Sequence, residues 1–490
     1  MGLSPIRTLD PSVAHTHAPA RAFARALRLF HEAAERVPAY TDFLKRAGVR
    51  PESIQSKADF QNIPVTDKPN YFSRYSLKEL SWDGSLASAK YISTSSGSTG
   101  VPFFWPRGEA QDVMTGLMKQ NIYQGLFEAS TGSTLFVNSF SLGTWIAGLE
   151  FFNAARWVAE HGACITIVSP GIDKAEAVNQ IKKLAPLFSR IVIAGYPPFV
   201  KDIIEYGSDS GIEWKKMDLR LLFGGEAVSE IWKDRLLEHI GRTGEFRRIV
   251  NIYGMAESGV VAHDTPVSTY LRRSLQALGG ASAGLPDPDR TMGLYQYYPL
   301  ARYFEVVSGD SLLLTANAGL PLIRYSTRDN GGLLAHQAVA KLGPKFASTA
   351  KRQGADIRKW QLPFVYLYGR KDLSISLYAV NIYVENIKSA LEHSVHTRKL
   401  SGLFIMGVTD GKRLDQQFQV TIELARDAVP DPALAKTLAT EIIAGLCGQN
   451  SEYAKLYSVI GIKARPRVNL VRYGDIQTVP GRKHKWTKRN

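Results

Sequence analysis

The sequence predicts an α/β protein: a large N-terminal domain of mostly parallel βα units, then a small C-terminal α+β domain. Three observations carry that prediction. A chain of 490 residues exceeds what one ordinary core organises, so two or three domains are expected. Between residues 134 and 253, apolar strand-like runs alternate with helical segments, the pattern of a mostly parallel sheet covered on both faces. After Gly369 the character changes, and about 120 residues read as a separate unit. The domains are therefore placed at 1–369 and 370–490.

Taken in order, residues 19 to 47 carry Phe23, Ala24, Leu27, Phe30, Ala34 and Val37 at helical spacing. They predict an amphipathic helix ended near Pro38. Pro64 and Pro69 break residues 57 to 80 into short elements. A strand-like start at Tyr91 and Ile92 runs into a Ser/Gly stretch. Residues 110 to 127 read as a helix opening soon after it, whose free N–H groups would suit an anion. Strands are expected at 134–138, 164–168, 190–195, 219–223 and 249–253, with helices at 146–160, 173–186 and 228–240. Residues 265 to 305 read as irregular, 311 to 327 as strand, and 335 to 361 as a basic connector. The C-terminal domain reads as a helix 382–392, a strand from Gly402, a turn at Asp410-Gly411, a strand Gln417 to Leu424, a helix 431–447 and a strand near Arg467.

Composition narrows the classes. Hydrophobic content of 44% with 21% charged residues is that of a globular protein. No apolar run reaches the roughly 20 residues that span a bilayer. The first residues show no charged segment followed by an apolar one, and the two cysteines, Cys164 and Cys447, make neither a disulfide framework nor a zinc site. A reducing cytoplasm is the expectation. The net charge of +15 suits nucleic acid, an anionic membrane or polyphosphate substrates. No zinc finger, RNA-recognition motif or long basic helix is present, so nucleic acid is an unlikely partner, and the basic tail Gly481 to Asn490 reads most simply as a solvated end.

The most informative stretch is Ser93, Thr94, Ser95, Ser96, Gly97, Ser98, Thr99, Gly100, stopped by Pro102. Small residues let backbone approach a ligand, and glycines accept turns that gather N–H groups into one concavity. Six hydroxyls add donors for phosphate oxygens, so the stretch reads as a triphosphate cradle. It is no Walker loop, because no lysine follows the second glycine. A solvated linker of the same composition would not be flanked by apolar and aromatic residues.

Four further stretches follow it: Gly224-Gly225-Glu226-Ala227, Tyr253 to Ser258, Ile323 to Asp329, and Gly369 to Leu373. Together and in this order they resemble the adenylate-forming superfamily (acyl-CoA synthetases, peptide-synthetase adenylation domains, luciferases). The G-G-E, P-L-I-R-Y and S-T-S-S-G-S-T-G forms look most like the phenylacetate-CoA ligase branch. The resemblance runs from about residue 60 to the end.

What it implies is an ATP-dependent acid-thiol ligase acting through an acyl-adenylate, with ATP, Mg²⁺ and coenzyme A. The hydroxyls of Ser93 to Thr99, with Thr94 at the chemistry, would hold the β- and γ-phosphates. Tyr253, beside Gly254, would stack on adenine, and Gly225, Glu226 and Ala227 would line the boundary between adenine and acyl group. Glu257 would hold the magnesium, which needs one carboxylate when phosphates and water supply the rest. Asp329 would accept the ribose hydroxyls. Arg370 would contact ribose or phosphate, and Asp372 would be the hinge. Lys483, or else Lys485, would bridge the carboxylate and the α-phosphate, where charge accumulates. Phe140, Trp145, Tyr196, Phe223 and Gly224 would form the acyl pocket and suggest an aromatic or bulky apolar acid.

Each residue has a plainer reading: turn hydroxyls, a core tyrosine, helix-start acids, a surface ion pair. This chain also departs from the pattern at Phe103, Leu373 and Ala379, where relatives carry a lysine, a second acid and a glycine. The acceptor is thus left open between coenzyme A, a carrier-protein phosphopantetheine and an amine. A non-ligating nucleotide binder and a basic nucleic-acid-associated protein are the readings outside that class.

Overall fold

A computed structural model of the chain describes residues 10–11, 18–94, 103–143, 146–288, 291, 293–307, 309–370, 374–378, 380–410, 416–477, 484 and 486–488. Two compact units emerge. The first holds most residues up to Tyr366; the second holds Leu367 onward together with 286–292 and 328–330.

The first unit opens with helices α1 (Ala18–Arg36), α2 (Pro38–Arg46) and α3 (Lys57–Gln61). The amphipathic helix expected to end near Pro38 ends there as α1, and a second helix follows it. Val37 is extended, and Pro38, which lacks an N–H, starts α2 instead of continuing α1. Strands β1 (Tyr91–Thr94) and β2 (Phe104–Arg107) pair antiparallel, so the Ser/Gly stretch connects two strands of a hairpin. Helix α4 (Glu109–Gln120) opens within one residue of its expected start, with β2 between it and the Ser/Gly stretch. Glu109 and Asp112 occupy its first turn, so acids already meet its N-terminus and the expected anion site there is not formed.

The βα units come next: β3 (Thr134–Ser139), α5 (Ile146–Glu160), β4 (Ile165–Val168), α6 (Lys174–Leu184), β5 (Arg190–Gly195), α7 (Pro197–Asp209), β6 (Leu219–Gly224), α8 (Glu230–His239) and β7 (Ile249–Met255). Strands β4, β3, β5, β6 and β7 lie side by side and parallel. Alternate residues of β3 serve two cores: Phe136 packs with Phe140 and Phe151, while Leu135 and Val137 pack with Ile193 and Phe223. Burial on both faces is why these strands read as continuous apolar runs.

Beyond β7 the sheet turns antiparallel at β8 (Gly259–His263). The stretch 265–305 is not irregular. It holds α9 (Pro266–Ser274), β9 (Gly293–Gln296) and β10 (Tyr303–Val307). Its polar residues are internal: Thr265 caps α9 through Ser268 N, and the fully buried Gln296 amide donates to the carbonyls of Trp360 and Leu362. Strands β11 (Ser311–Ala318) and β12 (Leu320–Leu334) follow, then α10 (His336–Ala340) and α11 (Pro344–Arg352) where a connector was expected, then β13 (Phe364–Arg370). The eleven-stranded order is β10-β11-β12-β13-β9-β8-β7-β6-β5-β3-β4.

The second unit contains the hairpin β14 (Ser374–Leu377) and β15 (Val380–Tyr383), α12 (Val384–His393), β16 (Leu400–Asp410), β17 (Gln416–Leu424), α13 (Pro432–Gln449), α14 (Ser451–Ile460), β18 (Arg467–Val471) and β19 (Thr487–Lys488). Its sheet runs β18-β17-β16-β19 over a core including Phe404, Phe418, Leu438 and Trp486. Among the described residues, no helix is long and apolar enough to cross a membrane.

Candidate active site

Glu257 sits in the turn joining β7 to β8, and two buried arginines hold that turn by its carbonyls. Arg107 donates from Nη1 to Glu257 O (3.1 Å) and Ala318 O (2.6 Å) and from Nη2 to Ala256 O. Arg302 donates to Ser258 O (3.0 Å) and Val260 O (2.9 Å). A guanidinium spent on backbone carbonyls fixes geometry and offers little to a ligand.

The Glu257 carboxylate meets Lys68. Thr66 runs beside β12 as a one-residue strand: its N donates to Arg324 O, its O accepts from Ser326 N, and its hydroxyl donates to Ile323 O at 2.8 Å. The following turn is capped reciprocally by Asp67 and Asn70. Lys68 Nζ thereby lies 2.6 Å from Glu257 Oε1, which also accepts from Tyr325 OH at 3.2 Å. Burial pushes Glu257 up, but the Lys68 ammonium and the Tyr325 hydroxyl outweigh it and hold the carboxyl below the ordinary glutamate range.

A second polar group lies at the carboxyl ends of β5 and β6. Gly225, at φ +102°, makes the turn after β6 that a side chain would strain, and Glu226 follows it. Tyr196 OH, just beyond β5, donates to Glu226 Oε2 at 2.6 Å. Asn251, fully buried in β7, donates its amide to Glu226 O (3.1 Å) and Tyr295 OH (3.2 Å); its Oδ1 has no partner among the described residues. Tyr253 stacks on Tyr295 at 6.0 Å. Asp264 accepts from Asn251 N at 2.9 Å and pairs with the fully buried Lys233 at 2.7 Å.

Other expected residues are distributed less evenly. Phe140 packs on Phe151 with centroids 4.3 Å apart, and both rings lie against Gly224. Phe223 points into the opposite core, edge-on to Trp232, because adjacent strand residues face opposite sides; it does not join Phe140 in a pocket. Ser93 is fully buried and donates to Trp105 O at 3.3 Å within the hairpin, so its hydroxyl serves β1 and β2 and not a phosphate. Thr94, opposite Phe104, is the last strand residue before the loop. Ala227 follows Glu226, and Gly254 lies in β7 opposite Val260. Asp329 lies in β12 and belongs to the second unit, and Arg370 closes β13. Ser95, Ser96, Gly97, Ser98, Thr99, Gly100, Trp145, Asp372, Lys483 and Lys485 lie outside the described residues.

For magnesium the donor set is one carboxylate. Among the described residues no three His, Cys, Asp or Glu side chains gather to hold a metal. A lone glutamate fits a hard cation that takes its remaining ligands from phosphates and water. Lys68 shares that carboxylate.

No protein-family model matches the sequence, and no curated protein matches it either. Solved structures do. A 2-hydroxyisobutyryl-CoA ligase in its postadenylation state, in complex with R3-HIB-AMP, superposes with a TM-score of 0.70 at 16% identity, over 100% of this chain and 94% of that one. The chain has the adenylate-forming ligase fold. The same ligase in complex with 2-HIB-AMP gives a TM-score of 0.68 at 16% identity, covering 100% and 94%. Its complex with 2-HIB-AMP and CoA in the thioesterification state gives 0.55 at 16% identity, covering 97% and 90%. In this fold Tyr196, Gly225 to Ala227 and Glu257 stand beyond the carboxyl ends of neighbouring parallel strands, where open α/β sheets bind ligands.

Sequence reasoning missed Lys68, Arg107, Asn251 and Tyr325 as site residues. An asparagine inside the apolar run Ile249 to Tyr253 was a usable signal, because a buried amide needs partners. Lys68 gave none, since its partner lies far along the chain.

Proposed function

We propose that this chain is an ATP-dependent carboxylate ligase. An acid's carboxylate oxygen attacks the α-phosphorus of ATP, the bond to pyrophosphate breaks, and the acyl-adenylate passes its acyl group to a thiol, coenzyme A in the first instance. AMP leaves in that second step. The observation that carries the reading is the Lys68–Glu257–Tyr325 cluster in the same unit as the Tyr196–Glu226–Asn251 set, in a fold whose solved examples hold acyl-AMP.

The roles follow from chemistry. Asn251 Oδ1, buried with an unused acceptor, suits the exocyclic amino group of adenine, and the Tyr253 ring, backed by Tyr295, gives the base a flat face. Glu257 would hold Mg²⁺, which when bound neutralises triphosphate charge. Lys68, released from part of its pairing, supplies a further positive charge for phosphate oxygens. The remaining hydroxyls from Thr94 to Thr99 take the terminal phosphates, Asp329 the ribose diol, and Arg370 a ribose or phosphate oxygen. Lys483 or Lys485 bridges the reacting anions, and the second unit turns about Asp372 between the half-reactions.

The test is carboxylate-dependent pyrophosphate release from Mg·ATP over a panel of acids, with and without coenzyme A. Release that requires an acid and collapses in Lys483→Ala or Lys485→Ala is expected. A folded protein that binds no ATP overturns the reading.

A further inference from the structure

The space over the carboxyl end of β6 is filled. Phe140 and Phe151 are each 5% exposed and tilt against one another at 4.3 Å. An ideal Cβ on Gly224 would lie 3.3 Å from Phe140 Cζ and 3.7 Å from Phe151 Cζ, so even a methyl group there meets the rings. Gly224 directly precedes the Gly225-Glu226 turn, the side on which an acyl group would enter.

Phe151 is also braced. Lys119 Nζ lies 3.4 Å from its ring centroid and 3.4 Å from Glu150 Oε1. Lys119 is fully buried, and burial brings its ammonium down to about 8 despite Glu150. Glu150 in turn abuts Gly259, where a Cβ would fall 2.2 Å from Glu150 Oε2. Displacing Phe151 means breaking a desolvated cation–π contact and rearranging a buried ion pair, which a close-packed interior resists.

We propose that Phe140 and Phe151, backed by Lys119 and Glu150, form a fixed floor that restricts this ligase to short-chain carboxylic acids and excludes aryl and long-chain ones. This rests on the ligase reading and replaces the expectation of a bulky acid drawn from aromatic residues in the sequence. The rings close the pocket instead of lining it. Exclusion by a rigid wall discriminates more sharply than a missing contact, and each methylene beyond the limit costs roughly 10-fold or more.

The experiment incubates the full chain with Mg·ATP and hydroxylamine, which traps the acyl-adenylate as a hydroxamate whatever the natural acceptor. Acetate, propionate, butyrate, hexanoate, octanoate and phenylacetate are compared by kcat/KM. The short acids are expected to exceed hexanoate and phenylacetate by at least about 10-fold, with Phe151→Ala raising the larger acids about 10-fold relative to butyrate. Phe140→Leu, a milder change, shifts the profile the same way if Phe151→Ala does not fold. The charge-free pair Lys119→Met/Glu150→Gln relaxes the discrimination without altering the rings.

A wild type that works best on phenylacetate or octanoate overturns the inference and leaves the ligase reading standing. So do folded, active Phe140 and Phe151 variants with the wild-type profile. Hydroxamate from no acid, with ATP still bound, overturns the ligase reading and this inference with it.

Discussion

Replacing Lys68 by methionine isolates the contribution of the cation at the Glu257 turn. The change keeps most of the side-chain length and removes the 2.6 Å ion pair. It leaves a carboxylate with 11% of its side chain exposed and the Tyr325 hydroxyl at 3.2 Å. Breaking one partner of a buried pair costs about 3 kcal/mol, because the remaining charge is uncompensated. For a unit of this size that is a fall of roughly 4 °C in Tm. The pH dependence gives the sharper test. In the wild type the Glu257 pKa is held below 4.5, so its stabilisation is fully present above that value and is lost as pH falls through the folded pKa. In Lys68→Met burial is opposed only by the Tyr325 hydroxyl and a backbone N–H, so the carboxyl rises relative to the wild type. The deficit is therefore largest near neutrality and shrinks in acid as Glu257 protonates. Urea unfolding of wild type, Lys68→Met, Glu257→Gln and the double variant at several pH values measures this as a coupling energy. A coupling below about 1 kcal/mol at neutral pH, the range of an exposed pair, would refute the reasoning.

Three other outcomes are expected. Asn251→Ala should narrow the preference for ATP over the 6-oxo nucleotide ITP by about 5-fold, read as KM for each, since one hydrogen bond to the base is worth roughly 1 kcal/mol. Lys233→Met strands Asp264 and should cost about 3 kcal/mol in urea unfolding, while Lys233→Met/Asp264→Asn recovers much of the loss. Lys119, brought from 10.5 to about 8, leaves the folded chain binding fewer protons than the unfolded one between those values. Wild-type stability measured against Lys119→Met/Glu150→Gln should accordingly rise with pH across that span, by about 3 kcal/mol in all.

The sheet was legible where strands are buried on both faces. Ile191 to Ala194 reads as an apolar run because both of its faces are buried, and the bounds of the strand, Arg190 to Gly195, were read directly from the sequence. The stretch 265–305 misled for the opposite reason. Thr265, Ser268 and Gln296 look like loop residues, but each satisfies a buried partner, Thr265 as the cap of α9 and the other two inside regular structure. At the candidate site, the Gly224 to Ala227 turn announced itself through glycines. Lys68 did not, because a lysine beside a proline reads as surface until the fold brings β12 alongside Thr66. Ser93 shows the converse, a hydroxyl that fitted the motif and is used up in a hairpin.

The Thr66 hydroxyl reaches the carbonyl of Ile323 across 257 residues of sequence. That span makes the placement of Lys68 a matter of timing as well as geometry. Closing so long a loop has little local help, so it belongs to the slow, late part of chain condensation. On a ribosome, the parallel strands β3 to β7 emerge and can begin to pair long before β12 does. Until then the Lys68 ammonium and the Glu257 carboxylate have not met. The nascent chain thus has its parallel strands available before its charged centre, and a message truncated before residue 323 encodes β3 to β7 without that centre.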